Sequence, residues 1–70
     1  MITLFARKEP TVDKDSVVRG EGGKKDTVIY RDKECTQLVA RWPWYYSNCP
    51  RRNQRVVTIN CYRWSLSWVN

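Results

Sequence analysis

The chain has no histidine, which removes the residue that most often acts as general acid, general base or zinc ligand near neutral pH. Acids and lysines are also missing from its second half, so neither a carboxylate pair nor a lysine nucleophile can be drawn from residues 35–70. No apolar run approaches the roughly 20 residues of a membrane-spanning helix. Met1–Ala6 is apolar but short, and Arg7-Lys8 follows it, without the basic start and longer apolar stretch of a secretory signal. The three cysteines (Cys35, Cys49, Cys61) are odd in number, so a closed set of disulfides would leave one thiol over. Their separation lacks the close pairs of a structural zinc site. These absences point to a cytoplasmic chain with reduced, buried thiols, no bound metal or cofactor, no membrane partner and no catalytic role. A histidine-free ribonuclease toxin working through Arg and Tyr is the residual enzyme reading. Cys49, beside Pro50 and Arg51-Arg52, is the thiol that nearby positive charge would activate.

What the sequence does have is concentrated. Seventy residues make one domain, spanning 1–70, and a chain of that length has a thin core. Four Trp, four Tyr and one Phe are its main resource for burial, and dimerisation would add more. Residues 1–34 carry eight basic side chains and all seven acids, a net of +1. Residues 35–70 carry five arginines without an acid, a net of +5, together with every Trp and three of the four Tyr. Cationic surface without counter-charge raises the local potential and attracts anionic partners.

The strand signals are frequent. Ile2–Ala6 is short and apolar, as a buried strand is. Thr27–Arg31 is β-branched and aromatic. In Thr36–Trp42, Leu38, Ala40 and Trp42 alternate with Gln37, Val39 and Arg41. Gln54–Val69 is the strongest signal, with a change of phase between Cys61 and Tyr62 that implies either a bulge or two strands joined by a tight bend. Residues 8–26 are polar, hold all three glycines and read as a flexible loop or wide hairpin, with Ser16–Arg19 as an arm; residues 8–19 are the stretch that could hold a short helix. Gly20–Lys25 lacks the spacing and the following Ser or Thr of a phosphate loop. Pro43–Asn53 reads as a long loop, since Pro43 and Pro50 cannot donate to a sheet ladder. The expected fold is all-β: a small barrel or strongly bent antiparallel sheet of four to five strands.

The binding residues follow from charge and aromaticity. Arg41, Arg51, Arg52, Arg55 and Arg63 are suited to gripping phosphates, and Trp44, Tyr45 and Tyr46 to stacking on unpaired bases. Three consecutive aromatics cannot all point inward from an extended backbone, so some of them are exposed. Trp42 and the Tyr62, Trp64, Leu66, Trp68 face read as core, leaving Arg63 outward. The leading expectation is a small basic binder of single-stranded DNA or RNA, because no recognition helix for a duplex is evident. The same residues also compose protein hot spots. The rival is therefore a small accessory module, of phage or mobile-element type, that docks on and regulates a larger acidic protein.

Overall fold

β-branched and aromatic residues gather in five stretches of the chain, and in the computed structural model each stretch is a strand. The structure describes residues 2–11 and 24–69. In chain order the strands are β1 (Thr3–Pro10), β2 (Lys25–Tyr30), β3 (Leu38–Trp42), β4 (Val56–Ile59) and β5 (Tyr62–Trp68). They form one strongly curled, half-barrel sheet in the order β3-β2-β1-β5-β4, and no helix occurs among the described residues. The sheet is open, with β3 and β4 at its edges. It is also not purely antiparallel as the sequence suggested: β1 and β5 run parallel, Leu4 opposite Leu66 and Ala6 opposite Trp68. A parallel pair needs a long crossover, and here the chain from β2 through β4 supplies it.

Alternation along each strand assigns the two faces. Leu4, Ala6, Ile29, Val57 and Leu66 form the buried centre on the inner face, with Trp42, Ile59, Trp64 and Trp68 packed against it. Trp42 and the β5 aromatics are therefore core-facing, as their phase implied, except that Tyr62 is 70% exposed at the strand's start. On the outer face Val28 is fully buried between its cross-strand partners Arg7 and Arg41, whose aliphatic stems lie in position to cover it.

The phase change before Tyr62 is a tight turn and not a bulge. Asn60 and Cys61 adopt φ of 51° and 68°, and Ile59 pairs directly with Tyr62. Two consecutive left-handed residues make the two-residue hairpin turn whose twist matches that of the strands. A bulge does occur elsewhere, between Ile29 and Tyr30 against β3, where Tyr30 pairs with Leu38 and leaves Val39 as the extra residue. Strand β1 also continues through Lys8–Pro10, with Pro10 opposite Lys25, so the ends of the expected 8–26 loop are strand. Ser16–Arg19 and the glycine cluster lie outside the described residues.

Candidate nucleic-acid interface

The strand directions give the half-barrel two ends. The ends of β1, β3 and β5 and the starts of β2 and β4 gather at one of them, where the 43–55 loop also lies. This loop is built from successive turns. Tyr46 N donates to Pro43 O at 3.1 Å, Cys49 N to Tyr46 O at 3.1 Å and Gln54 N to Arg51 O at 2.9 Å. Turns throw neighbouring side chains in different directions, and Trp44, Tyr45 and Tyr46 are 39%, 64% and 51% exposed. Tyr45 stands edge-on to both neighbours, with ring centroids 5.5 Å from Trp44 and 5.2 Å from Tyr46.

Two adjacent residues of β2 hold this loop. Asp26 is almost wholly buried; its Oδ1 accepts from the Trp44 backbone N–H at 3.0 Å and from Thr11 Oγ1 at 3.2 Å, and its Oδ2 accepts from Arg41 Nε at 3.0 Å. Thr27, fully buried, donates through Oγ1 to Pro50 O at 2.7 Å and accepts from Lys8 Nζ at 2.6 Å. Cys49 Sγ lies 3.3 Å from the same hydroxyl and 3.7 Å from Trp42 O, alternative acceptors for its one proton. One residue thus ties down the start of the loop and its neighbour the end. Asp26, one of the seven acids of the first half, is a buried anchor and not a solvated surface charge.

The loop and strand ends enclose a cleft of about 300 Å³ lined by Lys8, Lys24, Lys25, Trp44, Tyr46, Ser47, Cys49 and Arg51. Among the described residues, four cations, two aromatic rings and no acid line it. Lys24 Nζ sits 4.1 Å from the Trp44 ring centroid, a cation–π contact that occupies one face of the indole. Arg52 and Arg55 border a second, more open cleft of about 580 Å³ with Leu66, Ser67 and Trp68. Since Arg51 and Arg52 are consecutive, this short stretch of loop divides the two clefts. Trp68 is held from below by its Nε1–H, which donates to Gln54 O at 2.9 Å.

Of the residues the sequence singled out, Trp44, Tyr46 and Arg51 meet in the first cleft, with Tyr45 packed against both rings. Arg52 and Arg55 line the second. Arg41 is engaged elsewhere: it bonds Asp26, donates to Pro10 O at 2.9 Å and lies 3.8 Å from Glu9. Arg63 is exposed on the outer face, opposite Thr58 and next to the β4–β5 turn, at the other end of the sheet. Sequence reasoning missed Lys8, Lys24 and Lys25. Lys8 was detectable, since it continues the phase of buried Leu4 and Ala6, and a lysine in that register marks where the core face opens to solvent.

A second polar network braces the outer face. Glu9 Oε2 accepts from Arg7 Nη2 at 2.9 Å, from Arg7 Nε at 3.1 Å and from the Tyr30 hydroxyl. Partial burial would raise the Glu9 carboxyl, but the hydrogen bonds from Tyr30 and Arg7, with the charges of Arg7 and Arg41, outweigh it and hold it below its ordinary value. Burial and the adjacent carboxylate raise Tyr30. The Arg7 guanidinium also lies 5.4 Å from the Tyr30 ring centroid.

The cysteines stand in three separate places: Cys35 in the β2–β3 turn, Cys49 at the loop's end and Cys61 in the β4–β5 turn. Cys35 and Cys49 are half-buried and Cys61 is exposed, so none is the fully buried thiol the composition suggested. No helix among the described residues is long and apolar enough to cross a membrane.

No protein-family model, curated protein or solved structure matches this chain. Its function has to be argued from the site.

Proposed function

We propose that the chain binds single-stranded nucleic acid across the two clefts at the basic end of the half-barrel. The observation that carries this reading is the first cleft, where Lys8, Lys24, Lys25 and Arg51 surround Trp44 and Tyr46 without an acidic side chain among the described residues of the lining. Phosphates supply the anions that four clustered cations favour, and bases supply flat surfaces for the exposed rings. Arg52 and Arg55 carry the positive surface onward, giving a chain of phosphates room to run from one cleft to the other. A single strand suits this arrangement better than a duplex, whose bases are already stacked and leave exposed rings nothing to bind.

The test is quenching of tryptophan fluorescence by short single-stranded and duplex oligonucleotides at several salt concentrations. Saturable quenching by single strands, weakening steeply with salt, supports the reading. Absence of binding at low salt overturns it. The competing reading, an acidic protein docked on the same Trp44–Tyr46 surface, is favoured by the exposure of all three rings. It separates on salt dependence, because an aromatic hot spot draws mainly on buried area and loses much less affinity.

A further inference from the structure

At the opposite end the half-barrel has a different mouth. The starts of β1, β3 and β5 and the ends of β2 and β4 meet there around a cleft of about 300 Å³. Its wall is mostly aliphatic and aromatic: Ile2, Leu4, Val39, Ile59, Tyr62 and Trp64. Arg31 and Asn60 complete the lining. The Trp64 indole N–H is buried and has no acceptor among the described residues. Arg31, also on the wall, has no carboxylate within ion-pair distance among the described residues, whereas Arg7 and Arg41 both do.

No water-sized group touches the Trp64 indole nitrogen, so Trp64 offers the cleft its ring and not its N–H. A guanidinium on the rim of an apolar pocket selects a planar anion, which it binds through paired N–H groups. The volume lies at the small end of the range for ligand sites, roughly 300–1,000 Å³. We infer that this mouth binds a small apolar monocarboxylic acid, its hydrocarbon body among Ile2, Val39, Ile59, Tyr62 and the Trp64 ring and its carboxylate on Arg31. A peptide fits less well, because it brings several backbone donors and acceptors that this lining does not satisfy. The site is independent of the nucleic-acid reading and lies at the other end of the sheet.

The experiment is a titration of the full chain with octanoate, following the indole N–H resonances in a proton–nitrogen correlation spectrum, with octan-1-ol as the uncharged control. Expected are a saturable shift of one indole resonance, identified as Trp64 by its loss in Trp64→Phe, and clearly weaker binding of the alcohol. Arg31→Gln, exposed and outside the core, should weaken octanoate roughly tenfold, the worth of a charge-assisted hydrogen bond. Equal binding of acid and alcohol, or no movement of the Trp64 resonance, overturns the inference without reference to any variant. A peptide ending in leucine that binds more tightly than octanoate through its free carboxylate would also overturn it, in favour of a protein terminus. A single-stranded oligonucleotide should leave the Trp64 resonance in place, so a failure at one mouth is distinguishable from a failure at the other.

Discussion

Asp26 accepts a hydrogen bond from the backbone N–H of Trp44 at 3.0 Å, and that bond joins the sheet to the aromatic loop. The carboxylate is only 4% exposed and serves Arg41 through its other oxygen, so its charge is compensated where it is buried. Asp26→Ala should destabilise the domain by roughly 3 kcal/mol, because it leaves Arg41 and the Trp44 N–H without their acceptor. Urea denaturation measures the loss. Limited proteolysis at Tyr45 and Tyr46 should show the loop released even where the sheet survives.

Thr27 does the equivalent work at the loop's other end. Thr27→Val keeps the shape but removes the hydroxyl that bonds Pro50 O and receives Lys8 Nζ. A cost of about 1–3 kcal/mol is expected, the price of buried polar groups left unpaired. Thr27→Ser should recover most of it. A stable Val variant beside an unstable Ser variant would mean that methyl packing, and not the hydroxyl, is what matters.

Arg41 and Arg51 separate structure from binding. Arg51→Ala should leave stability nearly unchanged and reduce the slope of log affinity against log salt by about 0.7, one phosphate contact on a single strand. Arg41→Ala should instead lower stability and leave the slope alone, since its guanidinium is committed to Asp26, Glu9 and Pro10 O. The reverse pattern would move the interface to the outer face.

Glu9 sets an acid limit. Its carboxyl is held below its ordinary value of 4.5, so its contribution is fully present above that pH and is lost as pH falls through the lower, folded-state value. Glu9→Gln should flatten the decline in stability measured below pH 4.5. Tyr30 acts in the opposite direction. Its hydroxyl is raised above 10.0, so its contribution holds below that pH and disappears as the solution becomes more alkaline. Thermal unfolding across pH, compared with Tyr30→Phe, reads the alkaline limb.

Cys61 sits at φ 68° in a turn that favours glycine. Cys61→Gly should stabilise the chain by roughly 0.5–1 kcal/mol by relieving a left-handed residue that carries a Cβ. It also removes the exposed thiol. A drop in melting temperature would show that the Cys61 side chain makes a favourable contribution that outweighs the backbone strain.

Local chemistry by itself determined the strands, the punctuation and the facing of the core. Alternation in Tyr62–Trp68 is a property of the pleat and is legible without a structure, and three adjacent aromatics in an irregular segment had to be exposed in part. In Leu38–Trp42 the expected common face holds for Trp42 and Ala40 but not for Leu38, which the bulge at Val39 sets opposite Tyr30 and leaves 64% exposed. The step in phase at Cys61-Tyr62 was also legible, although choosing between a bulge and a turn required the φ angles. Only the tertiary structure decided what depends on residues distant in sequence meeting. It paired β1 with β5 in parallel, which no short-range pattern encodes, and so placed Lys8 over Trp68 and beside Pro50 O. It took Arg41 out of the basic surface by giving it Asp26, and added Lys24 and Lys25 by bringing the start of β2 against the aromatic loop. It also sent Arg63 to the far end. Charge and aromaticity are carried by single residues, but a site is a set of distances, and chain crossings set those distances.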